Sequence, residues 1–380
     1  MAMCETPIRF QVSKPVLAGR EKEYILDALQ TGWISGSGYY VDRFEEEVSS
    51  FLNISDGIAV SNGTVALHLA CLGMDLGPGM DVIVPSLTYV ASANAVRYCG
   101  ANPVFADCDP YTWNVTCESI EAVWTKKTVG VLLVHLYGLP APVHEIRELC
   151  QQRSAWLIED CAESFGAKMD GCYVGGFGDI STFSFFANKI ISTGEGGMVF
   201  VKDKERREFV RKLKGQGVDL NRPYWHTVVG YNYRMSNVVA AIGLAQIEMA
   251  ESHLAERRRI AQRYIQTLKL LHEHGLVRLP VEPSGYHNVH WLFSLVLASG
   301  TEAVRDRVRQ ELLRTYGIET RPFFVPMHRL PMYSSEHSFP HADFISDRGI
   351  NLPTYTGLSD ADIDEISAIV SDVAKREMGA

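Results

Sequence analysis

Between residues 57 and 201, short apolar runs alternate with helix-like segments, and this alternation limits the fold more than any other feature of the chain. The strand candidates are Gly57–Ser61, Val82–Pro85, Pro103–Asp107, Val129–Leu136, Ala155–Glu159, Ile180–Phe186 and Met198–Val201. Helical periodicity over 64–73, 89–99, 117–124 and 142–152 separates most of the earlier ones. Strands joined through helices must run mostly parallel, because each crossover returns the chain to the same edge. The prediction is an α/β fold, a mostly parallel sheet covered by helices on both faces. Ligands of such sheets bind beyond the carboxyl ends of the strands. Chemistry is therefore expected in the loops that follow them.

The flanks complete this plan. Residues 20–31 and 41–52 read as amphipathic helices, the first closed by Gly32. A single long helix is expected from Asn237 to about His274. After the Pro280–Ser284 break, a strand at 289–297, a helix at 301–316, an extended Ile318–Phe324 and a helix near 359–375 describe a smaller α+β domain. Ser359 and Asp360 are the expected N-cap of that last helix. The division is a large domain over 1–250 and a small one over 251–380.

Composition sets further bounds. A net charge of -9 without any block of like charges offers no electrostatic footprint for nucleic acid. The basic run Arg257-Arg258-Arg259 lies on a helix and reads as a solvated face. Eight cysteines, at 4, 71, 99, 108, 117, 150, 161 and 172, show no CxxC pair and no metal-ligand spacing. They imply a reducing compartment rather than a disulfide framework, and no bound metal. No apolar run reaches the roughly 18 residues of a membrane span, so the expected location is cytoplasmic.

Unusual residues do fall in the post-strand loops. Lys189 sits between the aromatic strand ending Phe183-Ser184-Phe185-Phe186 and the glycine-rich Thr193-Gly194-Glu195-Gly196-Gly197. Partial desolvation there would lower its pKa and free the amine to attack a carbonyl. Ser61-Asn62-Gly63-Thr64 opens a helix, which reads either as an anion site or as an ordinary N-cap. Glu159-Asp160 ends a strand, where an acid serves a cationic ring or a backbone cap. Ser184 adds a hydroxyl, and Tyr89 offers a flat face for stacking or for core packing. Taken together, a phosphate cradle, a carboxylate, an aromatic plate and a lysine match pyridoxal 5'-phosphate, held as a Schiff base with an acid at its pyridine nitrogen.

Those segments resemble the DegT/DnrJ/EryC1/StrS sugar aminotransferases, and within them the GDP-perosamine synthases. The similarity runs from Gly32-Trp33-Ile34-Ser35 to Asn351-Leu352-Pro353, and includes Asn188-Lys189-Ile190-Ile191 and Gly230-Tyr231-Asn232-Tyr233-Arg234. It implies the type I fold of pyridoxal phosphate enzymes. Lys189 would carry the cofactor and move protons; Asp160 would pair with the ring nitrogen. Gly63, Thr64 and Ser184 would hold the phosphate, Tyr89 would stack on the ring, and Glu163 would stand beside the ring hydroxyl. Asn232 would reach the phosphate in a neighbouring subunit, which implies a homodimer with shared active sites. The implied reaction moves an amino group from L-glutamate to a keto-sugar, GDP-4-keto-6-deoxymannose, for surface polysaccharide.

Substrate contacts are expected from His226, Arg321 and His328, with surface roles (a salt bridge for Arg321, a loop contact for His226) as the alternatives. Phe165 and Gly36 depart from the family pattern, which carries His and Ser there in many members. They leave open another ketone, such as an 8-oxo Kdo-like acid. A sugar 3-dehydratase on the same scaffold carries His in place of the lysine, so Lys189 argues against that alternative.

Overall fold

The computed structural model describes residues 7–219, 221–335 and 337–379; Cys4 lies outside them. Its central element is a seven-stranded sheet. The strands are β1 (Ile58–Val60), β2 (Asp81–Pro85), β3 (Asn102–Ala106), β4 (Thr128–Val134), β5 (Trp156–Asp160), β8 (Ile180–Ser184) and β9 (Gly197–Val201), with the short β6 (Lys168–Met169) and β7 (Cys172–Tyr173) set apart. Spatial order is β1-β9-β8-β5-β4-β2-β3. Strands β3, β2, β4, β5 and β8 pair in parallel, whereas β9 runs antiparallel to both β8 and β1. All seven strands anticipated from the sequence are present. Their continuous apolar runs follow from burial on both faces, as in β2 and β8, where every residue is buried.

The helices fill the two faces. Gly63–Gly73 packs on β8 and β9. On the other side, Tyr39–Leu52 brings Phe44 against Phe185, with ring centroids 5.1 Å apart. The long helix expected over 237–274 is three: Asn237–Glu248, Ala250–Thr267 and Lys269–Glu273. At Met249 and Leu268 the backbone turns out of helical geometry (ψ 3° and 5°). Neither a glycine nor a proline marks the breaks. They occur where the chain passes from an almost wholly buried helix to one with a single buried face, and then turns toward the next strand.

Two apolar cores result. The first fills both faces of the large sheet. The second gathers Ile260, Tyr264, Phe293, Leu295, Leu297, Leu312 and Ile366 around an antiparallel four-stranded sheet, β10 (Val277–Arg278), β12 (Phe293–Leu297), β14 (Gly349–Leu352) and β13 (Arg321–Pro322). Phe10, from the amino-terminal segment, belongs to this second core and pairs with Ile318. Sequence periodicity missed β10 and the three-stranded sheet β11 (Tyr286–His287), β6, β7, because two-residue strands carry no detectable alternation, and it missed β14, whose four residues are all buried and so do not alternate. The last helix, Asp360–Met378, starts as anticipated: Ser359 and Asp362 form a reciprocal capping box.

One buried network stabilises the carboxyl end of β5. Glu159 is fully buried, and its Oε1 accepts from the N–H groups of Phe177 (2.8 Å) and Gly178 (2.5 Å). Its Oε2 accepts from Gly175 N–H (2.8 Å) and lies 3.1 Å from His135 Nε2. Because His135 Nδ1 accepts from Ala141 N–H (2.9 Å), the imidazole proton sits on Nε2 and points at Glu159. Cys161 completes a cluster of metal-ligand types, but the His and Glu donor atoms are already occupied by hydrogen bonds.

Burial alone would push the Glu159 carboxyl up; the hydrogen bond from His135, with those of the Gly178 and Gly175 N–H groups, holds it below the usual 4.5. A depressed carboxylate contributes stability above its unfolded pKa and loses it as the pH falls through the folded one. Glu159→Ala should cost about 3 kcal/mol near neutral pH. That deficit should shrink below about pH 4, where the unfolded carboxyl is protonated. Urea denaturation midpoints across this range test it; a pH-independent deficit would assign the loss to packing alone.

Candidate active site

At the carboxyl ends of β1, β5 and β8 lies a cavity of about 760 Å³. Gly63, Thr64, Tyr89, Asp160, Glu163, Ser184, Lys189 and Arg321 all line it. The reversed strand β9 is the reason. The loop from β8 to β9 must double back within a dozen residues, and Lys189 is carried on that return.

Asn62 is the N-cap of helix Gly63–Gly73, and its Oδ1 accepts from Val65 N–H at 3.0 Å. Gly63 and Thr64 are the first residues of that helix, so their N–H groups have no intrahelical acceptor and open on the cavity. Both readings of this turn therefore hold at once, on different residues. A Cβ at Gly63 would stand 2.8 Å from the Ser184 Cβ and 3.0 Å from its Oγ. Only a glycine lets the helix start and the Ser184 hydroxyl share this corner.

Adjacent residues Glu159 and Asp160 divide two roles by strand alternation. Glu159 turns to the 175–178 loop, while Asp160 turns to the cavity. Asp160 accepts from Ser92 Oγ (2.8 Å) and from Ala162 N–H (3.1 Å). Among the described residues no cation lies within ion-pair distance of it. Burial pushes this carboxyl up, against the Ser92 and Ala162 hydrogen bonds and the charge of Lys189. A buried acid without a cation of its own is expensive; it suits a positively charged ligand ring.

Glu163 Oε2 accepts from Tyr137 N–H at 2.7 Å, which requires the unusual positive φ of Tyr137 (52°). Burial raises the Glu163 carboxyl to about 7, against the Lys189 charge. Lys189 itself is pushed down by burial and by Arg321, while Glu163 and Asp160 oppose. Tyr89 is exposed at the cavity rim and tilted against Phe324, with centroids 5.7 Å apart. Arg321, on β13, makes no ion pair among the described residues, which removes the surface salt bridge as its alternative.

Three expected residues lie elsewhere. His226 is exposed, its Nδ1 2.9 Å from the Gln216 carbonyl. Asn232 is exposed and bridges to Gly215. Neither lines this chain's own cavity. His328 is nearly buried: Nδ1 lies 2.7 Å from Ser86 Oγ, Nε2 lies 3.1 Å from Asp343, and the ring stacks on Phe339. With both nitrogens engaged it anchors the Ser86–Tyr89 loop instead of meeting a substrate. Phe165 is also away from the cavity, stacked on Phe51 in the core at 5.3 Å. Gly36 presses on Arg234, where an added Cβ would come within 2.9 Å of the Arg234 Cβ, so a serine does not fit there. Sequence reasoning missed Ser92, Tyr137 and Trp291. Ser92 and Tyr137 have no motif around them, and Trp291 lies beyond the sheet in sequence.

Comparison with known proteins gives the family. The profile of the DegT/DnrJ/EryC1/StrS aminotransferase family matches residues 15–371. The GDP-perosamine synthase of Escherichia coli O157:H7 is 45% identical over 353 residues, covering 93% of this chain and 95% of that protein. The GDP-perosamine synthase of Caulobacter vibrioides is 44% identical over 367 residues, covering 96% and 98%. Among solved structures, the aminotransferase TlmJ from Streptoalloteichus hindustanus superposes with a TM-score of 0.91 at 30% identity, over 97% of this chain and 99% of that one.

His328→Ala should leave Ser86 and Asp343 without their buried partner and cost about 1–3 kcal/mol. The denaturant midpoint measures it. A variant of unchanged stability with weakened substrate binding would return His328 to the substrate site.

Proposed function

Since the chain belongs to the DegT/DnrJ/EryC1/StrS aminotransferase family and is a sugar aminotransferase dependent on pyridoxal 5'-phosphate, we propose that it makes GDP-perosamine. The amino donor in this reading is L-glutamate and the acceptor is GDP-4-keto-6-deoxymannose. One observation carries the pyridoxal phosphate chemistry: a single cavity joins a buried carboxylate with no cation beside it among the described residues, a desolvated lysine and a helix start closed down on a serine; the sugar follows the likeness to the GDP-perosamine synthases.

These groups fit the cofactor. The corner where a Gly63 Cβ would meet Ser184 suits a phosphate, received by the Gly63 and Thr64 N–H groups and the Ser184 hydroxyl. Asp160, lacking a cation of its own, would pair with the pyridine nitrogen, Glu163 would face the ring hydroxyl, and Tyr89 would cover one ring face. When bound, pyridoxal phosphate supplies an aldehyde for amines and a ring that accepts electrons from the substrate carbon.

The protein's own part is proton management. Burial keeps a share of the Lys189 amine neutral, so its Nζ can remove the proton from the α-carbon of the amino donor. In the reverse half of the cycle the same Nζ delivers a proton to the sugar carbon that gains nitrogen. Arg321, a half-buried cation with no acid partner among the described residues, would bind a substrate carboxylate or phosphate at the mouth.

A homodimer with shared sites is part of the proposal. Tyr224 (93% exposed), Trp225 and Val229 (91% exposed) leave an apolar strip beside Asn232, which a second copy would cover. His226 and Asn232 would then serve the partner's cavity. A cytoplasmic location is also proposed: the seven described cysteines are unpaired, and no described helix is long and apolar enough to cross a membrane.

The first test is absorbance of the purified holoenzyme. The band of lysine-bound cofactor should vanish with L-glutamate and return with GDP-4-keto-6-deoxymannose; a band indifferent to glutamate would rule out this donor. Lys189→Ala should fold normally and lose about 10⁴-fold or more in transamination rate. Asn232→Asp should weaken cofactor retention about ten-fold, by setting a negative charge against the partner's phosphate. Equilibrium dialysis measures that loss, and unchanged affinity would remove Asn232 from the site.

A further inference from the structure

Lys189 meets an aromatic face. Its Nζ lies 3.8 Å from the centroid of the Trp291 ring. Trp291 is almost buried, lines the same cavity and enters from the segment leading into β12. Two contacts hold its ring and a third fixes its backbone. Nε1 donates to the Asn188 carbonyl at 2.8 Å, so the ring is tied to the backbone of the lysine's own neighbour. Tyr137 lies nearly parallel to it, at 18° and 6.2 Å between centroids. The Trp291 carbonyl accepts from Arg257 Nη1 at 2.8 Å.

Arg257 corrects the expectation of a solvated basic face over 257–259: it is a buried guanidinium with no carboxylate partner among the described residues, turned inward onto backbone carbonyls. Its acceptors are the carbonyls of Trp291 and Thr354, and burial lowers its pKa to about 10. A buried cation spent on a backbone carbonyl fixes where that residue lies, which here means the position of the indole.

An indole face attracts an ammonium and not a neutral amine. We propose that Trp291 is a positioning residue for the proton carrier, its ring being the seat of the Lys189 ammonium whenever that lysine is free of the cofactor. The use of this seat rests on the aminotransferase reading; the contact does not. In that reading the donor's C–H bond breaks, its electron pair stays on the carbon side, and the proton forms the new N–H bond at Nζ. The indole then holds the resulting cation at a fixed place until the proton is returned. The other charged groups facing Lys189 are Glu163 and Asp160, which favour the ammonium, and Arg321, which opposes it.

The test is the pH dependence of Lys189 acetylation by acetic anhydride in the full chain stripped of cofactor, read by mass spectrometry with exposed Lys269 as internal reference. Removing the ring face disfavours the cation, so Trp291→Leu should move the labelling midpoint down by about 0.4–1.5 pH units. Trp291→Phe should recover part of that shift. Fluorinated tryptophan in place of all six tryptophans keeps the ring shape and weakens its face, so the midpoint should fall stepwise with each added fluorine, even if Trp291→Leu does not fold. A midpoint indifferent to fluorination, or one that rises in Trp291→Leu, overturns the proposal. A shifted midpoint in a protein without transaminase activity would uphold the seat and overturn the proposed function instead.

Discussion

Strand β9, inserted antiparallel between β8 and β1, is the constraint on which the site depends. An all-parallel sheet would send the chain from β8 through a helix to the far edge. The antiparallel ladder instead keeps the β8–β9 connection at the carboxyl end of the sheet, and Lys189 stays beside Ser184. It also seats Gly197 on the next turn: a Cβ there would stand 2.6 Å from the Asn62 carbonyl. The helix start and the lysine loop can therefore share one corner only because Gly63 and Gly197 have no side chains. The Gly63–Ser184 corner and the placement of Lys189 are thus products of one pairing choice in the sheet.

Around that corner the protein concentrates buried charge, and the two acids of β5 are treated in opposite ways. Glu159 is saturated by three backbone N–H groups and His135. Asp160 receives two donors and no cation. The first acid is satisfied within the protein and organises a loop. The second carries a buried charge with no cation within ion-pair distance among the described residues, and in the proposed function a cationic ligand ring would complete it. The same logic extends to Arg257, whose charge is directed onto backbone carbonyls and ties the second core to the indole beside Lys189.

Lys189, Asp160, Ser184, Gly63 and Thr64 were legible as cavity-lining candidates because each lies at or just beyond the end of an apolar strand, where ligands of parallel sheets gather. Arg321 was legible as a cation but not as an unpaired one. His328 was misplaced by sequence reasoning, since motif proximity says nothing of the direction a side chain takes. His328 turns inward to Ser86 and Asp343, and Phe165 turns into the core beside Phe51. The helix over 237–274 was read as continuous because its breaks at Met249 and Leu268 bear neither glycine nor proline.

Strand and helix periodicity, the glycines and the position of the lysine were therefore determined by the sequence itself, because they depend on backbone sterics and on local alternation of apolar residues. Which strand reverses, which acid has no cation beside it among the described residues, and which aromatic ring meets the Lys189 amine were decided only in the tertiary structure. Those outcomes rest on contacts between residues far apart in the chain, such as Ser92 with Asp160 and Trp291 with Asn188. Their energy exists only once solvent has been excluded from between the partners.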